Sequence, residues 1–313
     1  MMVALCMGST ATSLKDVTHA LVSPSAETST LVVALRLPRV LLGALLGAAL
    51  GVSGAAMQGL FRNPLVDPGL LGVSAGAALG TVCLIVVGVG FLQGPLALSL
   101  AAFAGAALSM ALVQAVSRAM RTRGPSATLL AGIGINALIS ALIGLLVMHA
   151  NNMQLRRYTF WQFGSLGDAD WIRVGVAAPL CLVAILALWR LSGSLNVMLL
   201  GDEEAQHLGV NVRRTRAAVV AWVALAVGSS VAVAGNIGFV GLLVPHGARL
   251  LVGADLRRSL PLAALVGALL LVLADALARS ATAPLEIPLG VITSVVGAPV
   301  FLALLVLQPR RAP

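Results

Sequence analysis

The stretch from Arg36 to Gly80, RLPRVLLGALLGAALGVSGAAMQGLFRNPLVDPGLLGVSAGAALG, restricts the fold more than any other part of the chain. Two arginines stand around a proline, a glycine-rich apolar run follows, and the polar break QGLFRNPLVDPG separates it from a second apolar run. A helix in a soluble core does not need so many small residues in one run. In lipid, Gly, Ala and Ser let helix backbones approach closely, and packing replaces the missing hydrophobic drive. The pattern predicts closely packed transmembrane helices. The punctuation at Pro64, Pro68 and Gly69 predicts irregular backbone lining a cavity rather than a simple loop.

Composition extends this reading to the whole chain. Only 10% of the 313 residues are charged and the mean hydropathy is +1.01, against roughly 25% charged in soluble domains. The apolar runs are long, not the ~10-residue alternating segments of a β-barrel. The fold class is therefore all-α, a polytopic membrane bundle. The net charge of +9 comes almost entirely from arginine, since Lys15 is the only lysine. The arginines are scattered between apolar runs rather than gathered in a stripe, which argues for membrane edges and against nucleic acid. Cys6, Cys83 and Cys181 have no CxxC spacing, so neither a zinc site nor a redox pair is expected.

Nine spans are expected, near 40–60, 70–92, 95–116, 128–148, 172–189, 217–234, 237–252, 260–278 and 289–307. The fifth and seventh read as short or interrupted, by Pro179 and by Pro245. Met1 to Met7 is apolar but too short to cross and has no basic region before it, so it is no cleavable signal. It reads as the tail of a helix. Placing Arg36 and Arg39 outside puts 13 basic residues inside and seven outside, which makes the C-terminus cytoplasmic.

Two connections stand out. Within residues 190–216, GDEEAQHLGVNVRRTR reads as a short surface helix, with Asp202, Glu203 and Glu204 in its first turn and Gly209 after its end. An ordinary solvated loop fits equally well on physics alone. Residues 149–173 hold the only tyrosine and two of the four tryptophans, as an interfacial aromatic belt does.

Several chemistries are missing. No G-x-x-x-x-G-K-[ST] loop occurs, so the chain has no P-loop for ATP. The four histidines lack metal-ligand spacing, and no chain of intramembrane acids or histidines supports a proton-coupled pump or a secondary transporter. Asp275 and Arg279 lie four apart on one helix, close enough for a local ion pair, or for an external arginine offered to a partner.

RLPR followed by SGAAMQGLFRNPLVDPGLLGVSAGAALG closely resembles the permease family of ABC importers for iron-siderophores, haem and vitamin B12. GDEEAQHLGVNVRR, GNIGFVGLLVPHGARLLVGADLRRSLPLAALVGALLLVLADALAR and PLEIPLGVITSVVGAPVFLALL resemble later parts of the same family in order, so that the likeness covers about residues 31–308. The resemblance implies a type II importer permease fold of about nine to ten spans in one transmembrane domain, 1–313. In it 1–30 is the remnant of a first helix and an external segment, and 190–216 is the cytoplasmic coupling segment. It implies a bacterial inner-membrane homodimer with two cytoplasmic ATPase subunits and a periplasmic haem- or siderophore-binding protein. This chain then binds no cofactor, and ATP and Mg sit on the ATPase subunits.

The family's residue roles transfer by motif. Arg36, Arg39 and Arg279 correspond to an external basic pocket that docks the binding protein. Gly201, Asp202, Glu203, Glu204, Gln206, His207, Leu208, Gly209, Arg213 and Arg214 correspond to the ATPase coupling segment. Asn63, Leu65, Pro125 and Ser126 correspond to the cytoplasmic gate; Pro125 departs from the threonine of the vitamin B12 importer. The helices beginning near Thr128 and Val291 line the path. TFWQFGSLG, 159–167, looks like haem permeases, so Phe160 and Trp161 are candidate substrate-path residues and haem is preferred to ferric siderophore, and either to cobalamin.

Overall fold

A computed structural model describes residues 30–88, 95–120, 125–281 and 286–307. Among them every regular element is helical. Met1 to Met7, Cys6, Lys15, Arg121, Arg123, Arg310 and Arg311 lie outside the described residues, as do the side chains of Pro125 and Ser126.

The organising helix is α1, Leu37–Phe61, about 37 Å long at 1.5 Å per residue. A π-helical stretch, Thr30–Arg36, leads into it. Its residues are buried on every side, as expected of a helix apolar all round. The other helices are α2 (Val73–Val87), α3 (Pro95–Ala119), α4 (Pro125–Met148), α5 (Asn152–Gln162), α6 (Trp171–Arg190) and α7 (Ser192–Met198). After them come α8 (Asp202–His207), α9 (Val212–Ala234), α10 (Val240–Val252), α11 (Leu256–Ala281) and α12 (Leu289–Leu307). Around α1 stand α11, α10, α6 and α9, while α2, α3 and α4 form a second group that meets the first through α9.

Small residues set these contacts. A methyl group at Gly47 would collide with the backbone carbonyl of Gly267, one at Gly51 with that of Ala263, and one at Gly54 with that of Gly241. Gly76 and Gly105 press together in the same way between α2 and α3. The run of glycines in Arg36–Gly80 is thus a surface for backbone-to-backbone approach.

Among the described residues six helices are long and apolar enough to cross a membrane, and the apolar helices α2 and α10 are shorter, at 15 and 13 residues. All nine expected runs are helical, with corrections. The second begins at Val73, because Pro68–Leu71 is a separate 3-10 turn ended by Gly72 at φ 83°. Pro179 does not interrupt the fifth, which runs 20 residues. The seventh is short, at 13 residues, and contains Pro245. Residues 149–173 are more than a loop with aromatics. They contain α5, started by a capping box in which Asn151 and Gln154 satisfy each other's backbone N–H groups.

The sorting of charges along the chain reappears in space. Arg39, Asp275, Arg279 and Glu286 meet at the end of the bundle where α1 begins. Arg62, Asp202 and Arg216 meet at the end where α1 stops.

Candidate functional site

At the Arg39 end, sequence positions more than 230 apart converge. Arg39 Nε and Nη2 donate to Asp275 Oδ1 at 3.0 and 2.9 Å. Its Nη1 and Nη2 donate to Glu286 Oε1 and Oε2, both at 2.9 Å. The guanidinium therefore binds two carboxylates at once, the second through a two-bond fork. Arg279 Nε lies 3.2 Å from Asp275 Oδ2, one helical turn along α11. Arg36, Arg39, Asp275 and Arg279 are all buried, while Glu286 stays in contact with water. The bonds from Arg39 hold the Glu286 carboxyl below its ordinary value, against the opposing effect of burial.

Where a basic pocket was expected there is a compact mixed cluster, in which Arg39 and Arg279 meet Asp275 and Arg39 also holds Glu286. Asp275 was legible as a partner for Arg279 from the i,i+4 spacing. Glu286 was missed. Its only signal was an acid between two prolines, in PLEIP, within an acid-poor chain.

Beside this cluster a cavity of about 430 Å³ is lined by Phe160, Trp161, Arg157, Arg173, Asp168 and Glu286. Phe160 is 52% exposed, and the Arg156 guanidinium sits 5.6 Å above its ring. Arg173 pairs with the exposed Asp168 at 3.6 Å. The candidate path residues therefore share this space with Glu286, the acid that Arg39 holds.

A second cavity, about 520 Å³, lies deeper, lined by Asp67, Pro68, Gly69, Asn136, Ser140 and Asn236 among others. Here the polar break of the opening stretch packs as irregular backbone. The Asp67 carboxylate accepts from Gly69 N–H at 2.7 Å, and Ser109 Oγ donates to the Gly72 carbonyl at 2.8 Å. Backbone away from helices needs such partners when water is excluded. Asp67, Asn136 and Asn236 were not singled out in the sequence: Asn136 and Asn236 are each one polar residue in an apolar neighbourhood, and Asp67 read only as part of the polar break.

At the opposite end, α1 stops at Arg62, a left-handed residue at φ 52°. The Asn63 side chain then accepts from Leu65 N–H at 2.9 Å, shaping the Asn63–Leu65 turn. Asp202, the first residue of α8, accepts from Arg216 Nη2 at 2.6 Å and lies 3.5 Å from Arg62 Nη2. One carboxylate thus ties α8 to both α9 and the end of α1. Only Ala205 of α8 is fully buried; Glu203, Glu204, Gln206, His207, Leu208 and Gly209 face outward, as do Arg213 and Arg214. Gly201 is buried, with φ 140°. Thr128 near the start of α4 is bonded to Ser117 at 2.9 Å. A cavity of about 870 Å³ opens between Arg118, Thr128, Asp202, Gln206, Arg213 and Arg216.

The preceding helix α7 was not expected. Its Asn196 bonds Asp255 and accepts from Leu256 N–H at 2.8 Å, which fixes it to the start of α11. Hydrogen bonds from Arg257 N–H and from Asn196 hold Asp255 below its ordinary value.

A close-packed bundle of apolar helices with polar clusters at both ends and cavities between them is the form of a polytopic membrane permease. The chain belongs to the FecCD transport family, whose description matches residues 1–307. It is 46% identical over 281 residues to the hemin transport system permease protein HmuU of Yersinia pestis, covering 88% of this chain and 83% of that one. It is 42% identical over 288 residues to the cobalamin import system permease protein BtuC of Halobacterium salinarum, covering 89% and 74%. Among solved structures, a metal-chelate type ABC transporter in an inward-facing conformation superposes with a TM-score of 0.87 at 32% identity, covering 97% of this chain and 94% of that one. The fold is that of a type II ABC importer permease, and the chain is an importer permease of this family.

Proposed function

We propose that this permease carries haem across a bacterial inner membrane, by alternating access. The observation that carries the substrate is the likeness to the hemin permease, 46% against 42% for the cobalamin relatives. The site is chemically suited to a flat, apolar, dianionic macrocycle. Phe160 and Trp161 supply ring faces, and Arg157 and Arg173 supply positive charge in the same cavity. The chain works as a pair of copies. Two ATPase subunits bind the Asp202 end, and a binding protein docks at the Arg39 end. The ATP and Mg belong to the ATPase subunits, and this chain supplies no catalytic group. Arg36, Arg39 and Arg279 face the periplasm, and the C-terminus lies in the cytoplasm. The excess of basic residues at the Asp202 end supports that orientation.

Residues 201–214 transmit the closure of the ATPase dimer. The bonds from Asp202 to Arg216 and Arg62 support this, because they link α8 to α9 and to the turn holding Asn63 and Leu65. That turn and the region of Pro125 and Ser126 act as the inner gate. A switch of this kind needs contacts that differ between its two states, and the Arg62–Asp202 pair, longer than the other at 3.5 Å, is the contact to exchange.

Reconstitution with its ATPase and binding protein tests the reading. Haem should be taken up and should stimulate ATP hydrolysis, with ferric siderophores and cobalamin inactive. Uptake of a ferric siderophore in place of haem would move the assignment to the second reading, which the metal-chelate type structural neighbour favours.

A further inference from the structure

The two carboxylates on Arg39 differ in kind. Asp275 is sealed in, its side chain 4% exposed, on a helix between two arginines. Glu286 is 44% exposed on its side chain and sits on a connection rather than in a helix. It nevertheless makes the complete fork, two bonds of 2.9 Å. A buried pair is hard to open, because opening strands charge away from water. A half-solvated carboxylate exchanges readily with another carboxylate, since water meets it as it leaves.

We propose that Glu286 is an internal placeholder for the docking partner: it occupies the outward fork of Arg39 in the free permease, and an acidic side chain of the partner displaces it. This rests on the docking role proposed above for Arg36, Arg39 and Arg279. Displacement has a path into the protein. Ile287 N–H bonds the Ala278 carbonyl, Leu289 N–H the Gly164 carbonyl and Gly290 N–H the Phe163 carbonyl, so the residues beside Glu286 tie α11, the start of α12 and the end of α5 together. Glu286 also lines the cavity that holds Arg173. In that cavity Arg173 meets the exposed Asp168 at the longer distance of 3.6 Å, which leaves Arg173 a second place for the displaced carboxylate to settle. The two positions make a two-state element whose balance an incoming acid shifts. The same movement loosens the mouth that carries Phe160 and Trp161.

The test uses the full chain in lipid nanodiscs with its ATPase and binding protein, reading binding-protein affinity and ATP hydrolysis. Glu286→Gln keeps size and removes the competing charge. It should tighten docking about tenfold and raise ATP hydrolysis in the absence of the binding protein. Glu286→Asp keeps the charge on a shorter stem and should give a smaller gain, which serves if the glutamine variant folds poorly. The triple reversal of Arg36, Arg39 and Arg279 to Glu separates the two ideas. If it leaves docking intact, the docking site itself is misplaced. If it abolishes docking while Glu286→Gln binds no tighter than the parent, docking stands and the placeholder is overturned.

Discussion

The two ends of the bundle are built on opposite principles. At the Arg39 end, two acids and two arginines interlock through hydrogen bonds from Arg39 at 2.9 Å and an Arg279–Asp275 ion pair at 3.2 Å, and most of the cluster is buried. At the Asp202 end one carboxylate, 30% exposed, is shared between Arg216 at 2.6 Å and Arg62 at 3.5 Å. Charge taken out of water must be paired with good geometry, and once paired it resists rearrangement. Charge left near water is weakly held and can change partners. The first end is suited to a fixed register and the second to movement. The one loose component of the tight end is Glu286.

That contrast can be broken by substitution, beginning with the largest effect. Arg39→Ala leaves Asp275 buried with one arginine where it had two, and should cost about 3–5 kcal/mol of stability, read as a fall in melting temperature. Removing Asp275 as well should recover part of the loss, since the stranded charge goes with it. If the double variant is as unstable as the sum of the singles, the cluster is not a coupled unit. Between the ends, Gly47→Val drives a side chain into the Gly267 backbone and should cost about 1–3 kcal/mol. Thermal unfolding of the detergent-solubilised chain measures it, and Gly134→Val, which meets nothing within 4 Å in this chain, is its comparison.

Asp202→Asn should be nearly silent in stability, at most about 1 kcal/mol, yet should reduce ATP-driven uptake several-fold. A large loss of stability there would erase the difference between the ends. The smallest effect is the pH response of Glu286. Its carboxyl lies below the ordinary 4.5 in the folded protein. Its contribution is therefore complete above pH 4.5 and fades as the pH falls through the folded value. The difference in melting temperature between the parent and Glu286→Gln should stay constant at neutral pH and shrink below 4.5.

Much of the architecture was legible along the chain, because apolar run length and small-residue content report directly on helices packed in lipid. The nine runs follow from that, whereas the segment at Asp202 read equally well as a short helix or a loop, and the structure makes it a helix. The eleven-residue α5 escaped, because Arg156, Arg157 and several polar residues hide its period, although Asn151 and Gln154 carry its start. Pro179 misled, since a proline lacking one hydrogen bond need not end a helix whose neighbours cover the gap. The pairing of Arg279 with Asp275 was readable because it is local. The fork from Arg39 to Glu286 was not, because its partners lie 247 positions apart and no local rule joins them.

By itself, the stretch Arg36–Gly80 determined that this chain packs apolar helices at close range around a polar, irregular break. Spacing and residue size are local properties, and lipid acts on each segment in the same way. Only the tertiary structure decided that Arg39 is satisfied from within, by one buried acid and one exposed one, and that Asp202 holds the end of α1. Charge pairing depends on which distant residues the fold brings within a few ångströms, and on how much water it leaves them.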